Sequence, residues 1–370
     1  MPVFKQHASV LARGFKAFLN LEMGLVRDGA VRGRTDALGL GQAGPQVLKQ
    51  KVRIASQGHE LRQIPRRFTE LRAMLARNVD EAGGKGVRPE NIVWIFGTGR
   101  SGNTWLSSMM GELRGCAVWS EPSIGKLFGE FYYFDSREGQ RKTNNFVLGE
   151  KQKDTWLRSI RNFVLDGANG RFPELGNGYL VVKEQVGSVG APLLMEALPE
   201  SRMVLLVRDP RDVVASITDA TRKGGWRYAR LDESDPERNL IVAEDSTAFA
   251  RERASHYLKN VGKAKEAYDA HQGRKALVKY EDLRADTLKT IEHICSKLEI
   301  KVEEEDLEQV VAKHAWENLP KEEKGEGKFH RKASPGSWRE DLTPEQAEVV
   351  ERITAPLLNE FYPGSATAGI

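Results

Sequence analysis

Cysteine is scarce: Cys116 and Cys295 are the only two in 370 residues. That is too few for a disulfide framework or a zinc site, and it points to a reducing compartment. Long apolar runs are missing too, and none approaches the roughly 18 residues of a membrane span. The first thirty residues carry Lys5, Arg13, Lys16 and Arg27 without a continuous apolar stretch or small-residue cleavage site, so no standard export signal is expected. No repeat of 20–50 residues is visible, and no group of metal-ligating side chains at metal-site spacing, so no metal is expected. What is present, 40% hydrophobic and 29% charged residues with a net charge of +4, fits a soluble globular protein and excludes disordered and fibrous classes.

The charge is unevenly spread. Residues 1–90 hold 16 Lys+Arg against 8 Asp+Glu, which leaves a slightly acidic body. Helix-like apolar spacing over 4–26 and again over about 46–79, broken by a glycine-rich stretch, makes residues 1–88 a basic helical extension. Gly83, Gly84 and Gly86 form a hinge before Pro89, where the main domain, 89–363, is expected to begin; residues 364–370 make a tail. The extension reads either as a solvated helical face or as a contact for an anionic surface, an assembly partner or a membrane. Aromatics are not interleaved with its cations, so no nucleic-acid partner is expected.

From Asn91 the texture changes. Apolar runs Ile92–Phe96, Tyr179–Val182, Met203–Val207 and Ala276–Val278 alternate with helical patterns at about 103–114, 155–165, 211–221, 247–270 and 285–299. Alternating β and α with fully apolar strands predicts a parallel sheet covered on both faces, a three-layer α/β/α domain. Ligands on such sheets bind beyond the carboxyl ends of the strands.

The run Ile92–Phe96 leads into Gly97-Thr98-Gly99-Arg100-Ser101-Gly102-Asn103-Thr104 and a helical stretch starting at Trp105. Strand, glycine-rich loop and helix is the recipe for an anion cradle, because successive N–H groups and the helix start point at one place. The spacing matches the phosphate loop of nucleotide-binding enzymes, with Asn103 where the lysine for the terminal phosphates belongs. This argues against an ordinary ATPase or kinase, and Arg100 brings a different cation to the loop. A second constellation follows the run ending at Val207: Arg208, then Asp209 as N-cap and Pro210 at N1 of a helix carrying Ser216. Arg208 and Ser216 could clamp another phosphate; alternatively Arg208 pairs with Asp212, and Arg211 reads as a surface residue.

Together these motifs resemble the sulfotransferase family that uses 3′-phosphoadenosine 5′-phosphosulfate (PAPS). The segment Gly97 to Leu106 is similar to its 5′-phosphosulfate loop, and Arg208 with Ser216 to its 3′-phosphate element. Lys279-Tyr280-Glu281-Asp282-Leu283 resembles its Tyr-Glu-Asp segment. Arg331-Lys332-Ala333-Ser334-Pro335-Gly336-Ser337-Trp338 resembles its R-K-G-x-x-G-D-W closing loop. The resemblance covers about residues 91–362. It implies a P-loop-like fold and PAPS as co-substrate, bound by Gly99, Arg100, Ser101, Gly102, Asn103, Thr104, Trp105, Arg208, Ser216, Tyr280, Arg331, Lys332 and Ala333. Two departures stand out: Ala333 where glycine is usual, and Lys183-Glu184-Gln185 where many cytosolic members have Lys-Thr-His with histidine as base.

With that resemblance, the expected reaction is in-line sulfuryl transfer to a hydroxyl, driven by positioning and electrostatics. Arg100 and Lys183 are the expected catalytic cations, and Trp105 and Tyr280 the flat faces for adenine. Glu121, which Pro122 keeps out of a helix, is the first choice of base, as in several branches of the family; Glu184 is its rival, with a structural ion pair as the alternative. The acceptor stays open among small-molecule, glycan and lipid hydroxyls, with the aromatic segment 128–134 either lining its pocket or packing in the core. His256, His293, His314 and His330 carry no expected role. Competing readings are a P-loop small-molecule or nucleotide kinase and a non-catalytic nucleotide-binding assembly protein. A cytoplasmic enzyme, membrane-associated or homo-oligomeric through its basic end, is the composite expectation.

Overall fold

A computed structural model describes residues 86–230 and 246–365. The helical extension expected over 1–88, and the membrane and assembly contacts expected of it, therefore lie almost wholly outside the described residues.

Five parallel strands form one sheet: β1 (Ile92–Phe96), β2 (Cys116–Ser120), β3 (Tyr179–Lys183), β4 (Arg202–Val207) and β5 (Lys275–Lys279), in the order β2-β3-β1-β4-β5. Parallel neighbours require crossovers, and the helices supply them. They are α1 (Asn103–Glu112), α2 (Ile124–Glu130), α3 (Lys153–Arg171), α4 (Ala191–Ala197), α5 (Pro210–Thr221), α6 (Ser246–Ala270), α7 (Tyr280–Ala285), α8 (Thr287–Leu298), α9 (Glu304–Lys313) and α10 (Pro344–Phe361).

The strands are apolar throughout because both faces are covered. Ile92, Trp94, Phe96, Leu180, Val182, Met203 and Leu205 point into a core shared with α3, α4 and α6. The intervening Val93, Ile95, Val181, Val204 and Leu206 point the other way, against α1, α8 and α9. Each fully buried aliphatic side chain contributes about 1.5–3 kcal/mol, so these two layers fix the sheet. Registers Ile95 with Lys183, Ser120 with Lys183, Phe96 with Leu205 and Val207 with Lys279 place the carboxyl ends of all five strands along one edge.

The expected three-layer α/β/α fold is present, with some differences in detail. β2 is a half-buried edge strand whose mixed Cys-Ala-Val-Trp-Ser run carries no apolar signature. The helix anticipated over 285–299 is α8, started by Asp286, which accepts from the Lys289 amide; the short α7 before it was not anticipated. α10 was not anticipated, although Thr343 and Gln346 form a reciprocal capping box with Pro344 at N1, a legible start signal.

Candidate active site

The loop leaving β1 is built by close backbone approach. A Cβ on Gly97 would lie 2.5 Å from the Leu206 carbonyl oxygen, so no side chain fits there. The Gly97 amide donates to Ser188 Oγ at 2.9 Å. Gly102 turns the chain into α1 with a φ of +89°, the left-handed region that glycine enters freely. The ring of Tyr280 lies 2.7 Å from where its Cβ would be. Asn103, at the lysine position, is buried and folds its amide back onto the Thr98 carbonyl at 2.7 Å. It braces the loop from within and presents no cation. Ser101 is likewise buried. The first amides of α1 have no intrahelical partners, and they lie beside a set of cations.

Arg100 donates through Nε to Ser216 Oγ at 2.9 Å and through Nη2 to the Phe329 carbonyl at 2.7 Å. Its guanidinium packs against the rings of Trp226 and Phe329, 5.7 and 5.1 Å from their centroids, and those rings meet each other edge-on. Burial, with the charge of Arg208 adding to it, pushes Arg100 down to about 10. Arg208 donates to the Arg100 carbonyl at 2.9 Å and lies 4.2 Å from the Tyr280 ring centroid. Tyr280 thus carries Arg208 on its face. The alternative pairing of Arg208 with Asp212 gives way to a different arrangement: Asp212 accepts from the amides of Gly336 and Trp338 at 2.7 and 2.9 Å.

That arrangement ties the C-terminal segment across the strand ends. Asp219, two turns along α5 from Asp212, accepts from the Gly327 amide at 2.9 Å and lies 3.5 Å from Arg331 Nε. Arg331 also pairs with Asp341, and Lys332 lies 3.1 Å from Asp341 and 3.2 Å from Glu340. The two carboxylates of α5 thus hold both ends of residues 327–338, with Ser216 between them on the same helix face. Arg211 is not a surface residue: it is 1% exposed, pairs with Asp209 and Glu351, and packs over the Trp338 ring. Its carboxylate partners and the stacked ring compensate its burial.

These segments enclose one cavity of about 400 Å³, a size suited to a nucleotide or drug-sized ligand. Its walls include Gly99, Arg100, Gly102, Asn103, Thr104, Trp105, Arg208, Ser216, Tyr280, Arg331, Lys332 and Ala333. Of the thirteen residues expected to bind the co-substrate, only the buried Ser101 is absent from the lining. Sequence reasoning missed Trp316, His314 and Arg284, which line the same cavity. Trp105 donates to the His314 carbonyl at 2.9 Å, linking α1 to the end of α9. No position in 128–134 lines it; Phe128 packs edge-on to Phe163, and Tyr132 against Trp156.

Beside the cavity, at the ends of β2 and β3, stand the other expected residues. Lys183 is 6% exposed, donates to Thr104 Oγ1 at 3.1 Å, and lies 3.4 Å from Glu121 Oε1. Glu121 is partly exposed and accepts from the Val186 amide at 3.2 Å. Burial raises its pKa, against the pull of Lys183. Glu184 is fully buried and forms no ion pair with Lys183 or Arg208, the structural partners its place suggested; its carboxylate accepts from the amides of Ser123 and Gly125. Among the described residues no group of three or more His, Cys, Asp or Glu could hold a metal ion. No described helix is long and apolar enough to cross a membrane.

A family model described as "Sulfotransferase domain" matches residues 90–362. The chain belongs to the sulfotransferase family. It is 26% identical over 197 residues to cytosolic sulfotransferase 17 of Arabidopsis thaliana. That match takes in 46% of this chain and 54% of the relative, so the chain spans about half the length of the curated relative it matches. The chain is also similar to a solved mouse sulfotransferase complexed with PAP (TM-score 0.44, 15% identity, covering 74% of this chain and 86% of that one). A sulfotransferase from Mycobacterium avium gives a TM-score of 0.45 and 16% identity, covering 75% and 78%.

Within this sulfotransferase domain the departure at Ala333 acquires a physical meaning. Its φ is +50°, where a Cβ costs roughly 1–2 kcal/mol, so the position suits the glycine usual in the family. Here the strained turn is held by the strap around it and by Arg284, which donates to the Ala333 carbonyl at 3.3 Å.

Proposed function

We propose that the protein transfers a sulfuryl group from 3′-phosphoadenosine 5′-phosphosulfate to a hydroxyl of a small-molecule, glycan or lipid acceptor by in-line displacement. The observation that carries this reading is the crowding of Arg100, Arg208 and Arg331 around one cavity, with Arg100 held there against the repulsion of Arg208. Clustered guanidiniums beside free helix-start amides are at their lowest energy with a polyanion among them. Asn103 turned inward supports sulfuryl over γ-phosphoryl chemistry, because the loop offers no lysine to a terminal phosphate.

The donor supplies an activated sulfuryl group on a phosphate leaving group; the chain supplies its placement. Thr104 and the amides of the loop hold the 5′-phosphate end, while Arg208, Ser216, Arg331 and Lys332 hold the 3′-phosphate. Arg100 and Lys183 stand where negative charge grows on the leaving oxygen, a task for preorganised cations in a partly dry site. Trp105 presents a face for the adenine, and Tyr280 steadies Arg208 beneath it. Glu121, raised by burial, takes the proton of the acceptor hydroxyl. The cytoplasm is the setting that suits two free thiols, Cys116 and Cys295.

The test is transfer of ³⁵S from labelled donor to a panel of phenol, sterol and glycoside acceptors. Labelled product from any of them, lost in an Arg208→Ala variant, is the expected result. Magnesium-dependent phosphoryl transfer from ATP, with no sulfuryl transfer, would replace this reading with the kinase.

A further inference from the structure

Glu184 has no role in the mechanism above, yet it sits at the centre of the catalytic edge with no exposed surface. Its amide donates to the Ile95 carbonyl at 3.0 Å, next to β1. Its carbonyl accepts from Ser188 Oγ at 3.0 Å, the same hydroxyl that receives the Gly97 amide. Its carboxylate reaches across to the turn after β2, where Oε2 accepts from Ser123 N at 3.1 Å and Oε1 from Gly125 N at 2.8 Å.

That turn is unusual. Glu121 and Ser123 hold φ values of +50° and +60°, a backbone region disfavoured for any residue with a Cβ. Such conformations persist only where surroundings over-determine them. The space around the Glu184 carboxylate is closed: a Cβ on Gly187 would lie 2.0 Å from its Oε1, and one on Gly125 would lie 2.1 Å from the Gly187 carbonyl. No acceptor can reach it. Glu121, in contrast, is gripped by the residues that flank Glu184: its amide donates to the Lys183 carbonyl at 2.9 Å, and its carboxylate takes the Val186 amide and faces Lys183 Nζ.

We propose that Glu184 is the positioning residue for the base: its carboxylate locks the 121–125 turn and thereby keeps the Glu121 carboxylate beside Lys183 and Thr104. This rests on the reading of Glu121 as the proton acceptor. The charged group that acts on Glu184 is Glu121 on the turn. Burial, with the charge of Glu121 adding to it, pushes Glu184 up to about 7, while the turn amides hold it down. The negative charge of Glu121 thus makes Glu184 harder to ionise.

The experiment compares E184Q, E121Q and the double variant with the wild type, using labelled donor and the best acceptor of the panel. E184Q is expected to bind 3′,5′-adenosine bisphosphate with wild-type affinity while its kcat falls about 10- to 100-fold, the scale of a base displaced by about an ångström. The loss should fall on kcat alone, leaving the KM for donor and acceptor at wild-type values, a split that a general structural defect would not produce. The double variant should be no slower than E121Q, because Glu184 acts only through Glu121. Wild-type kcat in E184Q, a matching loss of bisphosphate affinity, or losses that multiply in the double variant, overturn the proposal. If E184Q does not fold, E184D, which draws the same carboxylate back by one methylene, replaces it in the same comparison. Should E121Q itself keep full kcat, it is the assignment of the base that fails, whatever E184Q does.

Discussion

Replacing Arg100 by methionine separates what the fold needs from what the reaction needs. Arg100 is pushed down from the ordinary arginine range to about 10 by burial and by Arg208. Each unit is worth ~1.4 kcal/mol, so keeping this cation charged costs the folded state about 3 kcal/mol. The sign follows from proton linkage. The folded pKa is the lower one, so the cost is present in full at neutral pH, where both states are protonated. It disappears only as the pH climbs past about 10 toward the ordinary arginine range. Against it stand hydrogen bonds to Ser216 and the Phe329 carbonyl, each worth about 1 kcal/mol, and packing against Trp226 and Phe329 that a methionine side chain can keep. Arg100→Met should therefore leave the folding free energy within about 1 kcal/mol of wild type, where breaking a compensated buried ion pair costs about 3–5 kcal/mol. Binding should respond in the opposite way. Loss of one charge-assisted hydrogen bond to the anion, about 1.5–3 kcal/mol, weakens the bisphosphate about 10- to 100-fold. Urea denaturation gives the first quantity and calorimetry the second. Destabilisation by more than about 3 kcal/mol with unchanged affinity would refute the reasoning, making Arg100 a structural cation.

Other expectations follow from the same geometry. Glu121→Gln should lower kcat by about 100-fold or more without changing bisphosphate affinity, read by labelled transfer and calorimetry. Because burial raises Glu121, the wild-type rate should fall with decreasing pH already above the ordinary glutamate range; a flat profile down to pH 4.5 would remove Glu121 as the base. Ala333→Gly should be neutral or stabilise by up to about 1 kcal/mol at φ +50°, whereas Ala333→Val should destabilise and weaken bisphosphate binding; thermal denaturation and calorimetry check both.

Much of this was legible in the sequence because the decisive residues lie at strand ends. An apolar run followed by a glycine loop, or by Arg-Asp-Pro, fixes both the strand and the edge where its last side chain emerges. β2 was not legible, since an edge strand only half-buried on each face needs no apolar run, and with it went the turn that presents Glu121. Arg211 looked superficial because its partners, Glu351 and Trp338, are more than a hundred residues away in sequence. Trp316 and His314 reach the cavity only through the packing of α9 on α1, and a local pattern carries no trace of that. The Ala333 departure was visible, but its meaning depended on a backbone angle.

The central claim is that the cavity is built for a 3′-phosphorylated adenine nucleotide, and calorimetric titration tests it most directly. Micromolar binding of 3′,5′-adenosine bisphosphate without metal, with weak binding of ATP and magnesium in parallel, is the predicted result. Tight magnesium-dependent ATP binding with no affinity for the bisphosphate would contradict it.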